Sequence, residues 1–175
     1  MERVALLIPG VEYSAERPLL HFAGAVFRSY GWTVHEFRWS ARPPQRDGQD
    51  FPAWFGRLRD FVGEQMSAGP DADALVGKSL GAFAAAVAAD RDVPGVWLTP
   101  PLRDSLLADD LRRSAKPYLL VGSRADPSWE PVEARHVFEA ADADHNMEVP
   151  GDPVRSAGLL RDVTAAMDAF VRDLQ

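Results

Sequence analysis

Apolar runs of strand length alternate along the chain with longer segments in which apolar and charged positions recur at helical spacing. That is the pattern of a parallel sheet wrapped on both faces by helices. Six runs read as strands, at residues 4–8, 33–37, 74–76, 96–98, 117–121 and 145–148, and their mostly apolar interiors suit strands covered on both sides. Between them, helices are expected at 17–30, 52–66, 80–89, 103–111, 132–140 and 154–174, stacked on the sheet by right-handed crossovers. Gly31 supplies a stop for the first helix, and Pro94-Gly95 punctuates the turn into the fourth strand. The least regular stretch, residues 40–50 with Pro43, Pro44, Asp47 and Gly48, reads as a mobile surface loop within one unit. The expected architecture is therefore a three-layer α/β/α sandwich with a mostly parallel sheet of about six strands, forming a single domain over residues 1–175.

Composition narrows the function classes. With 175 residues and 46% hydrophobic content the chain can bury a real core. No apolar run approaches the roughly 18 residues of a membrane span. Residues 1–10 lack a positive leader and a small-residue cleavage site and read as the first strand. The absence of cysteine excludes disulfides, thiolate metal sites and cysteine nucleophiles, and fits a cytoplasmic location. The net charge of −7 comes with scattered basic residues and no footprint for nucleic acid, so a small, uncharged substrate is expected.

The candidate chemistry starts at Gly77-Lys78-Ser79-Leu80-Gly81, where a strand runs directly into a small-residue helix containing Ala82, Ala84, Ala85 and Ala86. A G-x-S-x-G turn in that context presents its serine on a tight, strained corner, and the glycines are needed because side chains there would strike neighbouring elements. Two other readings exist. Ser79 could simply cap a helix, and Gly77-Lys78-Ser79 resembles the end of a phosphate-binding loop. The latter fails on spacing, because its first glycine would fall at Ala72 within an acidic segment. Lys78 is read as a surface residue near the serine.

A serine hydroxyl needs a base and a carboxylate to orient that base, in the chain order serine, acid, histidine. His21 and His35 precede the serine; His136 falls in an expected helix; His145 lies in Asp144-His145-Asn146-Met147 near a strand edge and is preferred. For the acid, a buried strand opens through Gly122-Ser123-Arg124-Ala125 onto Asp126, whereas Asp142 and Asp144 are close to His145 in sequence but need not face it, and Asp104 begins a helix as a capping or solvent residue. Asp126 could also be only a turn residue before Pro127.

These segments, with Ile8-Pro9-Gly10 after the first strand and Pro150-Gly151 behind His145, make nearly the whole chain resemble the α/β-hydrolases, in particular small, lidless, bacterial dienelactone-hydrolase-like members. The resemblance implies Ser79 as nucleophile, Asp126 as orienting acid and His145 as general base. Two departures stand out. The first loop reads Pro9-Gly10-Val11-Glu12-Tyr13 where many esterases carry His-Gly-Gly-Gly, and dienelactone hydrolases usually employ cysteine. The oxyanion hole is expected to combine the backbone N–H of Leu80 with that of Val11 or Glu12.

The resulting expectation is a serine hydrolase of a small ester or thioester, working through an acyl-enzyme without cofactor or metal. The alternative is a catalytically silent protein of the same fold that binds a ligand. Thr99-Pro100-Pro101-Leu102 is too short to hold a cap, so the site should be shallow and open. Glu12, Tyr13, Lys78, Trp39, Trp97 and Trp129 are the candidate pocket residues.

Overall fold

A computed structural model describes residues 2–46, 48, 50–103 and 105–175; Met1, Asp47, Gln49 and Asp104 lie outside the described residues. The strands are β1 (Val4–Ile8), β2 (Thr33–Glu36), β3 (Ala74–Lys78), β4 (Gly95–Leu98), β5 (Tyr118–Ser123) and β6 (His136–Ala140). All pairings are parallel, in the order β2-β1-β3-β4-β5-β6. The helices are α1 (Pro18–Ser29), α2 (Phe51–Ser67), α3 (Ala85–Arg91), α4 (Ser105–Arg112) and α5 (Pro153–Arg172), with a 3₁₀ helix, Ser79–Ala84, joining β3 to α3.

Strand alternation divides the core into two layers. Ala5, Leu7, Ala74, Val76, Val96, Leu98, Leu119 and Val121 face α1 and α5. Leu6, Ile8, Leu75, Trp97 and Leu120 face α2, α3 and α4. The expected α/β/α sandwich is thus the observed one. Several local signals act where they stand in the sequence. Asp50 and Asp152 cap α2 and α5 by accepting from the N–H groups of Ala53 and Arg155, and Gly31 follows α1 at φ 78°. Among the described residues no helix is long and apolar enough to cross a membrane.

Two expected elements are wrong, and they are coupled. Residues 132–140 do not form a helix: His136–Ala140 is the edge strand β6, paired over five residues with Leu119–Ser123. Its glutamate and alanine favour helix, but pairing along the open edge of β5 overrides that weak preference. Residues 145–148 accordingly are not a strand but a tight loop after β6, in which Met147 takes φ 60°. Asp144 organises this loop by accepting from the N–H groups of Asn146 and Glu148.

Strand order reverses beside β1, since β2 lies on one side of it and β3 on the other. A crevice opens at the carboxyl ends of strands at such a switch point. The loops after β1, β3, β5 and β6 all issue at that end of the parallel sheet.

Candidate active site

The serine turn is tight for steric reasons visible at its two glycines. A Cβ on Gly77 would come 2.2 Å from the carbonyl oxygen of Gly81, and one on Gly81 would come 2.3 Å from that of Ile8. Between them Ser79 adopts φ 53°, a left-handed conformation that costs a non-glycine residue about 1 kcal/mol or more. This geometry lifts Oγ off the end of β3 into the crevice.

Three side chains from three strand ends meet there. Ser79 Oγ is 2.8 Å from His145 Nε2, and His145 Nδ1 is 2.6 Å from Asp126 Oδ2. A carboxylate only accepts, so the proton of the neutral imidazole sits on Nδ1, and Nε2 accepts from the serine hydroxyl. Asp126 is buried, its side chain 1% exposed against 39% for that of His145. Burial by itself would raise its carboxyl, yet hydrogen bonds from His145 and Ser128 hold it below the ordinary carboxylate value.

Ser128 joins the site without being among the residues the sequence nominates. Its N–H and hydroxyl both donate to Asp126 Oδ1, at 2.9 and 2.7 Å, and its oxygen also lies 3.2 Å from His145 Nδ1. The signal for it was the Asp-Pro-Ser sequence, since an aspartate readily accepts from the N–H two residues on. Ser123 is a second such residue. It is fully buried at the end of β5, and its Oγ accepts from Ala143 N–H at 3.0 Å and Ala125 N–H at 3.3 Å. One hydroxyl thereby ties the loop carrying Asp126 to the loop carrying His145.

The first loop abuts the serine turn. A Cβ on Gly10 would lie 3.0 Å from the Lys78 carbonyl oxygen and 3.4 Å from Ser79 Cβ. Gly10 and Tyr13 form a bridge that turns through Glu12 at φ 56°. Leu80 stands in the first turn of the 3₁₀ helix, where backbone N–H groups lack partners within the helix.

A cavity of about 1100 Å³ opens over Ser79 and His145, so the expectation of a shallow site does not hold. The loop after β4 adds Pro101 and Arg103 to its lining, but most of the cover comes from elsewhere. Phe51, Trp54, Phe55 and Leu58 of α2 wall the space, with Leu80 and Phe83 beneath and residues 42–46 along the rim. The Phe55 and Phe83 rings lie 6.0 Å apart, and Trp54 Nε1 donates to the Pro44 carbonyl at 2.9 Å. The sequence predicts a helix at 52–66, but which face it turns to the site depends on tertiary packing.

Of the candidate pocket residues, Glu12 lines this cavity, as does Val11. Tyr13, Lys78, Trp39, Trp97 and Trp129 do not. Trp97 and Trp129 are buried over Gly95 and Gly122, where any Cβ would collide with the indoles, and Trp39 packs edge-on against Phe37 and beside Phe61. Lys78, read as a surface residue, is only 1% exposed. By strand alternation it points toward the α1 and α5 side, with Nζ 4.9 Å from the centroid of the Tyr13 ring. Burial lowers its pKa to about 8 against the opposing fields of Asp126 and Asp144. The bulky lysine fits because Tyr13, whose own hydroxyl accepts from Leu19 N–H at 3.0 Å, roofs its pocket with an aromatic face. His136 of β6 instead packs against Phe170 of α5. Among the described residues no group of histidine, aspartate and glutamate could hold a metal ion.

No model of a known protein family matches the sequence, and neither does any curated protein. Solved structures do. A lidless α/β serine hydrolase from Xanthomonas campestris superposes with a TM-score of 0.59 at 19% identity, over 98% of this chain and 81% of that one. The mouse α/β-hydrolase domain-containing protein 10 gives 0.63 at 13% identity, covering 98% and 90%. An esterase domain of a Rhodothermus marinus protein gives 0.60 at 17%, covering 98% and 86%. With its six parallel strands, its switch point beside β1 and its covering helices, the chain has the α/β-hydrolase fold.

Proposed function

We propose that the protein is a serine hydrolase of carboxylic esters or thioesters. The observation carrying this reading is the continuous hydrogen-bonded chain Ser79 Oγ, His145 Nε2, His145 Nδ1, Asp126 Oδ2, with links of 2.8 and 2.6 Å. A ligand-binding protein without catalysis has no use for a serine in a left-handed turn aligned on an imidazole. The likeness to solved serine hydrolases and an esterase domain supports the same reading.

In this mechanism Ser79 Oγ attacks the acyl carbonyl while His145 Nε2 takes its proton. The carbonyl oxygen becomes an oxyanion held by the N–H groups of Leu80 and Val11, each such donor being worth about 3 kcal/mol. Collapse of the tetrahedral adduct breaks the bond to the leaving alcohol or thiol, which receives the proton from His145. Water then repeats the sequence on the acyl-serine: it loses a proton to His145, adds to the carbonyl, and releases the acid as Ser79 regains its proton. Asp126 keeps the imidazole in the required tautomer and stabilises its cation throughout.

A fluorophosphonate probe should label the protein covalently, and Ser79→Ala should abolish labelling and lower ester hydrolysis at least about a thousandfold. Labelling that survives Ser79→Ala removes Ser79 as nucleophile. Esters, thioesters and peptides assayed side by side identify the preferred acyl bond.

A further inference from the structure

The cavity over Ser79 has two unlike surfaces. Its inner wall is apolar, made by Trp54, Phe55, Leu58, Leu80 and Phe83. Its rim carries three exposed guanidinium groups, those of Arg42, Arg46 and Arg103, against a single carboxylate among the described lining residues, that of Glu12. This sign is opposite to the chain's net charge of −7, and charge of one sign around a low-dielectric cleft focuses its field on the opening.

None of the three arginines forms an ion pair with a described residue. Two are nevertheless placed. The Arg46 guanidinium carbon stacks 4.3 Å from the Phe51 ring centroid, and its Nε donates to the Gly48 carbonyl at 3.0 Å, which leaves both terminal nitrogens unspent. The hydrogen bond from Trp54 to Pro44 holds the segment between Arg42 and Arg46 against α2. Arg103 donates its backbone N–H to the carbonyl of Ser128 at 3.3 Å, and Ser128 is the residue that holds Asp126. The cationic rim is therefore registered, through backbone and ring contacts, on the same frame as the serine. A guanidinium with free paired N–H groups is suited to carboxylate and phosphate oxygens.

We infer that the substrate is an amphipathic anion: an ester or thioester whose bulky apolar acyl group occupies the aromatic cavity and whose leaving group carries a carboxylate or phosphate held by Arg42, Arg46 and Arg103. This replaces the small, uncharged substrate expected from composition, and it rests on Ser79 being the nucleophile.

Matched thioesters test it. S-octanoyl phosphopantetheine is compared with S-octanoyl pantetheine, and S-octanoyl 3-mercaptopropanoate with its methyl ester, each pair differing only in the anionic group. At low salt, kcat/KM should favour the charged member of at least one pair about tenfold, mainly through KM, and added sodium chloride should erode that ratio. The pair that responds distinguishes phosphate from carboxylate. The triple change of Arg42, Arg46 and Arg103 to Gln should bring the ratio close to one, whereas the triple change to Lys should retain most of it. A ratio near one for both pairs in the unaltered protein, or a ratio that survives the Gln changes, overturns the inference. Calorimetric binding of the same pairs to Ser79→Ala reads the preference without turnover: equal affinities also overturn it. Failure of Ser79 to take the fluorophosphonate label instead overturns the hydrolase reading on which it rests.

Discussion

At the scale of single residues the site is unusual in what it buries. Lys78 adjoins Ser79 in sequence, yet its ammonium lies inside the fold against the Tyr13 ring and makes no ion pair with a described residue. A buried charge so placed is destabilising unless it is neutralised, which is why the folded state lowers its pKa to about 8 from 10.5. Below pH 8 the lysine is protonated in both folded and unfolded chains, and the full penalty applies. Between pH 8 and 10.5 the unfolded chain binds more protons, so stability rises with pH. The group should contribute a gain of about 2 to 3 kcal/mol on going from pH 7 to pH 10. Tyr13 and Tyr118, whose hydroxyls burial pushes up, act in the opposite direction once their unfolded counterparts ionise, near and above pH 10. Urea denaturation at successive pH values should show the rise in the unaltered protein and its loss in Lys78→Met, with Met more stable at pH 7. Parallel pH curves for the two proteins would show that Lys78 does not titrate in this way.

At the scale of elements, α2 both covers the core and walls the cavity, and its position depends on one buried carboxylate. Asp110 of α4 accepts from Arg59 of α2 at 2.6 and 2.8 Å and from Arg113 at 3.1 Å, with its side chain 4% exposed. Asp110→Ala strands Arg59, and because that guanidinium is partly solvated the loss should be about 2 kcal/mol, less than for a fully buried pair. In a chain of this size that is a fall of about 6 °C in melting temperature. Asp109→Ala, which removes only the exposed pair with Arg112, should leave the melting temperature unchanged. Equal effects of the two changes would refute the link between α2 and α4. The elements also show where the sequence was legible. β1, β3, β4 and β5 are interior strands whose apolar runs declare themselves, and the Gly77 to Gly81 turn, Asp126 and His145 carry local chemistry that survives without tertiary context. β6 does not, because an edge strand is half solvated and its residues satisfy helix propensity equally well. The tryptophans misled for a related reason: large rings near strand ends serve packing over Gly95 and Gly122 as readily as they line a cavity. Ser123 matters only through a partner that the fold supplies, Ala143, whereas Ser128 acts locally on Asp126 and gains its contact with His145 from the fold.

At the scale of the whole molecule, the three site residues hang from β3, β5 and β6, so the hydrogen-bonded chain crosses from the middle of the sheet to its edge. The frame is not uniform along that path. β3 is buried throughout and paired on both sides, whereas β6 is paired only with β5 and is mostly part-exposed, with Val137 open to solvent. Elements with few buried contacts open at lower free energy than the core. His145 follows β6, and its loop is tied to β5 through Ser123, so partial opening of this edge displaces the imidazole while β1, β3 and β4 stay folded. Hydrolytic activity should therefore be lost at lower urea than the tryptophan fluorescence change, to which buried Trp97 of β4 contributes. Amide exchange should be faster at residues 137–140 than at 75–78. Activity and fluorescence falling together, with equal protection of both strands, would mean that the sheet unfolds as one cooperative unit and that the histidine is held as firmly as the serine.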